Sequence, residues 1–226
     1  MYPILFEDNH LLAVNKPSGA IVQGDQTGDT PITDLVKAFI KKRDQKPGNV
    51  YLGLPHRLDR PTSGVLLLSK TSKALTRLNK MFQSKSDIQK TYWVVVDKKP
   101  AVLEQRLEHY MVRNTKQNKS YAYDNSRPDS KKAALTYRYL GSSQKFHLLE
   151  VDLHTGRHHQ IRAQLAAIGL HIKGDLKYGA SRSNRDGGIH LHARKLSFLH
   201  PVTKEATTII APTPDDAVWN YFSSQY

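Results

Sequence analysis

No cysteine occurs anywhere in the chain, so thiolate catalysis, disulfides and cysteine-ligated zinc are excluded. No apolar run approaches the roughly 20 residues that a membrane-spanning helix needs, and no basic amphipathic helix stands out to lie on a lipid surface. The start, Tyr2-Pro3-Ile4-Leu5-Phe6-Glu7-Asp8, lacks the basic beginning and long apolar stretch of an export signal, which makes the cytoplasm the expected location. Acids are scarce relative to bases: 20 Asp and Glu stand against 34 Lys and Arg, a formal net charge of +14. That surplus makes nucleic acid the expected partner, because each neutralised phosphate releases condensed counterions. What is present suits a packed core, with 38% hydrophobic residues in 226. No linker or repeat marks a boundary, so residues 1–226 are expected to form a single domain, with a monomer as the default.

Short apolar runs at Ile4 to Phe6 and Leu11 to Asn15 read as strands, broken by Lys16-Pro17-Ser18-Gly19. Thr30-Pro31 opens an amphipathic helix with Ile32, Leu35, Val36, Phe39 and Ile40 on one face and Lys41-Lys42-Arg43 at its C-terminal end. A charged, turn-rich stretch, His56 to Gly64, leads into an apolar strand at Val65 to Leu68. Ser72 is placed to cap a second helix bearing Leu75, Leu78 and Phe82, and Thr91 to Val96 reads as a strand. Arg113 to Lys132 is basic and polar with Tyr121 and Tyr123 interspersed, which suggests a long loop, either solvated or in contact with RNA. A hairpin across Gly141-Ser142-Ser143, a helix from Arg157 to Ile168 closed by Gly169, and strands at Ile189 to Phe198 and Thr207 to Ile210 complete the pattern. Strands outnumber helices without a sustained βαβ rhythm. The expected class is therefore α+β, a mixed and mostly antiparallel central sheet flanked by helices.

Two stretches carry chemistry. The loop His56-Arg57-Leu58-Asp59-Arg60-Pro61-Thr62-Ser63-Gly64 places an acid between two arginines just before a buried strand. Opposite charges within about 4 to 6 Å keep a carboxylate ionised, fit to act as nucleophile or base. The same pattern also suits a structural aspartate satisfied by loop amides. In Thr155-Gly156-Arg157-His158-His159-Gln160-Ile161-Arg162, Arg162 flanks the apolar stripe of Ile161 and Leu165, and a half-buried arginine demands an acid. Asp59 is one candidate. Arg157 reads as a phosphate contact or a solvated charge. The histidines 154, 158, 159, 171, 190 and 192 offer a metal-site reading, weakened by the absence of a His-Glu-x-x-His pattern. His190 and His192 share one face of an expected strand, where packing or RNA contact is the plainer reading.

The stretch His56 to Gly64 resembles the signature of the RluA family of pseudouridine synthases, and Thr155 to Arg162 resembles that family's later motif. Lys90-Thr91-Tyr92 looks like its middle motif, and Gly169 through Gly174-Asp175 and Tyr178-Gly179 continue the later one. The blocks fall in order from Ile4-Leu5-Phe6-Glu7-Asp8 to His200-Pro201. The resemblance implies that Asp59 is the essential acid, bonding covalently to C1′ of the ribose or C6 of the uracil. Tyr92 matches the tyrosine that packs on the base and assists removal of the C5 proton. Arg162 matches the arginine paired with the catalytic acid, and Leu165 matches a pocket wall. Arg57 matches the residue that fills the gap left by a flipped nucleotide, with His56 and Arg157 as further substrate contacts.

No cofactor or metal is implied, since an N-glycosidic bond is exchanged for a C-glycosidic one without net redox change. The expected partner is RNA, transfer or ribosomal, with no obligatory protein. His158 departs from the family's frequent hydroxyl residue, and Ala163-Gln164 departs from its common valine and histidine. Many relatives carry an N-terminal S4-type RNA-binding domain, whereas the motifs here begin almost at once. Target selection is therefore expected of the catalytic domain, with the basic 113–132 segment as a candidate. Two other functions compete: a catalytically idle RNA-binding or ribosome-assembly protein, and a metal-dependent nuclease.

Overall fold

The computed structural model describes residues 2–24, 28–84 and 87–226. In chain order the elements are β1 (Ile4–Glu7), β2 (Leu11–Lys16), α1 (Ile32–Arg43), β3 (Ser63–Ser69), α2 (Ser72–Ser84), β4 (Ile88–Val96), β5 (Glu104–Asn114), β6 (Lys119–Tyr123), β7 (Lys131–Ser142), β8 (His147–Leu153), α3 (Gln160–Ala167), β9 (Leu191–Leu199), β10 (Ala206–Ile210) and α4 (Ala217–Ser223). A 3-10 turn spans Leu176–Tyr178. The class is α+β, with mostly antiparallel strands flanked by helices. No helix among the described residues is long and apolar enough to cross a membrane. The chain separates into two compact units, residues 1–88 with 194–212, and residues 89–193 with 213–226.

In the first unit the strand order is β1-β2-β3-β9, with β10 paired to β9. Side chains alternate across a strand, and β2 and β3 use that alternation on both faces. Leu11, Ala13, Val65 and Leu67 meet Ala74 and Leu78 of α2 together with Leu196, Phe198 and Ile209. Leu12, Val14, Leu66 and Leu68 meet Ile32, Val36 and Ile40 of α1. Burial on both sides explains why β2 and β3 read as continuous apolar runs, each fully buried leucine contributing about 1.5–3 kcal/mol. Leu35, expected on the buried face of α1, is exposed. Thr71 rather than Ser72 caps α2, its Oγ1 accepting from the Ala74 amide at 3.2 Å.

In the second unit the order is β4-β8-β7-β5-β6. One core gathers Trp93, Val95 and Leu148 against Trp219 and Phe222 of α4, and another packs Met111 and Ala133 with Ala163 and Tyr178. The basic 113–132 segment is not one long loop but an excursion built on strands: it holds the end of β5, all of β6 and the start of β7, joined by turns at 115–118 and 124–130, with Val112 opposite Tyr121 and Arg113 opposite Ser120. α3 begins three residues later than its sequence suggests, because His159 adopts a left-handed backbone (φ 53°, ψ 28°) just before Gln160. Gly169, at φ +76°, ends it as expected, but Ile168 is exposed.

Candidate active site

The Asp59 loop is built in the first unit from its main chain outward. Lys16, at the end of β2, is fully buried, and its ammonium donates to the carbonyls of Pro17 (3.0 Å), Arg60 (3.0 Å) and Thr62 (2.7 Å). The Gly19 amide donates to the Arg60 carbonyl at 2.9 Å and the Ser18 hydroxyl to the Pro61 carbonyl at 3.0 Å. Within the loop, the Thr62 amide closes a turn on the Asp59 carbonyl at 3.0 Å. Gly64 then enters β3 at φ +116°, a conformation that side chains with a Cβ rarely adopt.

These contacts fix the main chain on both sides of Asp59. Burial pulls the Lys16 ammonium down to about 7, and the negative charge of Asp59 works in the opposite direction. Lys16 is therefore a buried amine whose charge is coupled to that of the candidate nucleophile, and the sequence reading missed it. A lysine next to a proline reads as surface charge; only the convergence of three carbonyls reveals a buried one.

The two arginines beside Asp59 point elsewhere. Arg60 pairs with Asp29 at 2.6 Å, and Arg57 is exposed. His56 has a scaffold contact: its Nε2 accepts from the Leu67 amide at 2.9 Å, and its ring stacks on Phe82 with centroids 5.0 Å apart. An amide donor at Nε2 puts the ring proton on Nδ1.

The second unit holds Tyr92, Arg162, Leu165 and Arg157. Tyr92 lies on β4 opposite Val151 of β8 and is 8% exposed. Arg162 and Leu165 are buried on α3. Asp175 takes two of the guanidinium nitrogens, Nε at 2.7 Å and Nη2 at 2.8 Å, a bidentate pair with both residues buried. The acid that fixes Arg162 inside this unit is thus Asp175, which the sequence places in the later motif without showing that it pairs. Arg157 is exposed ahead of α3, its Nε donating to the Lys132 carbonyl at 3.1 Å.

Gln160 anchors the start of α3. Its Oε1 accepts from the Thr155 hydroxyl (2.6 Å) and the Arg157 amide (3.0 Å), and its Nε2 donates to the Ala134 carbonyl (3.0 Å) and to Gln164 (2.9 Å). Gln164, at a position where the family commonly has histidine, makes a 3.0 Å contact with His109 Nδ1, tying α3 to β5.

The histidines form a scaffold. His190 stacks on Trp219 with centroids 5.1 Å apart, and His192 lies 5.8 Å from the same ring, so both pack. His158 stacks on His159 at 3.8 Å and contacts Ser120 Oγ at 2.9 Å and Asn118 Oδ1 at 3.1 Å. Burial, reinforced by Arg162, His158, Lys177 and Arg113, pushes the His159 imidazole down to about 2, so it is neutral at physiological pH. Among the described residues no histidine and carboxylate side chains cluster so as to hold a metal ion.

Residues 10–167 match the model of the RNA pseudouridylate synthase family. The chain is 35% identical to the tRNA pseudouridine synthase C of Pasteurella multocida, over 92% of this chain and 90% of that protein. It is 33% identical to the same enzyme of Pectobacterium carotovorum, over the whole chain but only 62% of the relative. It is 31% identical to the ribosomal large subunit pseudouridine synthase D of Zymomonas mobilis, over 94% of this chain and 69% of that one. Among solved structures, human RNA pseudouridylate synthase domain containing 4 superposes with a TM-score of 0.80 at 25% identity, covering 97% of this chain and 92% of that one. An aspartate held in a carbonyl-pinned loop, a tyrosine on β4 and an arginine clamped by a buried carboxylate thus sit on a fold and a sequence that agree, and the chain belongs to the RNA pseudouridylate synthase family.

Proposed function

We propose that this protein isomerises uridine to pseudouridine in structured RNA, with Asp59 as the covalent acid. The observation that carries the reading is that Asp59, Tyr92 and Arg162 are all intact within the matched residues 10–167. A stacked or paired uridine exposes neither C1′ nor C5 until it is flipped out, at a cost of a few kcal/mol. The exposed Arg57 is suited to fill the vacated stack, and Arg157 to take a phosphate. Asp59 then bonds to C1′ or to C6, the N1–C1′ bond breaks, and the tethered base turns to present C5. Forming C5–C1′ releases the C5 proton to solvent with help from Tyr92, the freed N1 takes up a proton from solvent, and the aspartate leaves unchanged. Arg162 is the arginine that pairs with the catalytic acid, Leu165 lines the pocket, and His56 acts by bracing the loop. The substrate is transfer RNA, ribosomal RNA or both, and the chain works as one catalytic domain, as a monomer, in the cytoplasm.

The test is tritium release. RNA transcribed with uridine tritiated at C5 must lose tritium to water as pseudouridine forms. The expected result is release by the wild type and none by Asp59→Ala, a loss of at least about 10⁴-fold, with RNA binding retained. Release by the variant at the wild-type rate would overturn the assignment of Asp59. Binding without release by the wild type from any RNA would favour an idle RNA-binding protein.

A further inference from the structure

A single aromatic ring in the second unit serves two cations. The Tyr178 ring lies 5.1 Å from the Lys119 ammonium and 4.9 Å from the Arg162 guanidinium. Lys119 opens β6 at the tip of the basic hairpin and also sits 5.4 Å from the Tyr121 ring. Arg162 is the family-motif arginine, and Asp175, its carboxylate clamp, lies three residues before Tyr178, immediately ahead of the same 3-10 turn.

The Tyr178 hydroxyl is as constrained as the ring. It accepts from the Ser120 amide at 2.8 Å, donates to the Ser120 carbonyl at 3.1 Å and makes a 3.0 Å contact with His159 Nδ1. The hairpin tip is pinned to the same turn by Lys177, whose ammonium donates to the Asn118 carbonyl at 3.1 Å. Tyr178 therefore touches both β6, which carries the basic hairpin's charge, and the residue just before α3, which carries Arg162.

We propose that Tyr178 is a positioning residue that couples capture of an RNA phosphate by Lys119 to the placement of Arg162. This rests on the isomerase reading for its consequence in turnover. An aromatic face holds a cation through its quadrupole, and two cations near one ring share that attraction while repelling each other. A phosphate bound at Lys119 neutralises one of them, which lets Arg162 hold the ring and the Asp175 clamp undisturbed. RNA engaged at the hairpin thus sets the arginine, whereas RNA held elsewhere does not.

The experiment compares wild type, Tyr178→Leu, Lys119→Ala and the double variant in single-turnover tritium release at saturating tRNA transcript, with RNA affinity measured by filter binding. Tyr178→Leu removes the ring that both cations face, so its rate should fall about tenfold with affinity within about twofold, whereas Tyr178→Phe keeps the ring and should stay closer to wild type. Lys119→Ala should weaken binding and also slow the step at saturation, and the double variant should be no slower than the slower single. A Tyr178→Leu rate indistinguishable from wild type, or losses that multiply, would overturn the coupling. Independently of turnover, the Arg162 Nε–H resonance should move when RNA binds the wild type and stay put in Tyr178→Leu. A wild-type resonance that does not move overturns the coupling whether or not the variant folds. No tritium release together with a Tyr178-dependent shift would instead remove the isomerase reading and leave the coupling standing.

Discussion

The Asp59 loop and the Arg162 helix solve the same problem, placing a charged side chain for chemistry, by opposite means. The loop is gripped by its main chain: carbonyls at 17, 60 and 62 converge on one buried ammonium, and the carbonyl of residue 59 closes its own turn. Arg162 is gripped by its side chain, with two guanidinium nitrogens committed to a buried carboxylate. In the proposed mechanism Asp59 forms and breaks a bond, a role for which a fixed main chain sets the starting position, whereas Arg162 is fixed at the charged group itself.

The contrast breaks first at Asp175. Asp175→Ala takes the carboxylate from a buried guanidinium and should cost about 3–5 kcal/mol in urea unfolding, most of it recovered in the double variant with Arg162→Met. A cost below about 1 kcal/mol would mean that the arginine is not held through its side chain.

Lys16→Met tests the other grip. The thioether is close in length and apolar, so unfolding should lose no more than about 1–3 kcal/mol, while single-turnover tritium release falls about 100-fold as the Asp59 loop loses its register. An unchanged rate would show that the loop stands without its lysine.

The smallest effect concerns His159. Its imidazole is held near 2 in the fold against an ordinary value of 6.5, so the unfolded chain takes up a proton that the folded one refuses. The stability it contributes is present above pH 6.5 and drains as the pH falls toward 2, at up to about 1.4 kcal/mol per pH unit. His159→Asn, a residue that tolerates the left-handed backbone, should flatten that decline, read as the difference in urea midpoints between pH 6.5 and 5. Parallel declines in the two proteins would refute the assignment.

Much of the first unit was legible because its strands are apolar on both faces and its helices carry plain stripes. The second unit hid more. β5 buries Leu107, His109 and Met111, so a histidine and a methionine stand where a strand usually shows branched residues. β6 is five residues with a lysine, a serine and two tyrosines, and its pairing comes from β5 rather than from its own composition. The late start of α3 depends on a left-handed histidine, which periodicity cannot register. Asp59, Tyr92, Arg162 and Leu165 were singled out as candidates through motif order. Lys16 and Tyr178 were not assigned a role, because each works through partners far along the chain.

The amide that His56 receives has a kinetic meaning. Leu67 lies inside β3 and is completely buried, yet its N–H is given to a ring from the motif loop. Its exchange with heavy water is therefore governed by how often that loop lifts, not by fraying of the strand. One backbone proton, deep in the sheet, keeps time for the segment that carries Asp59.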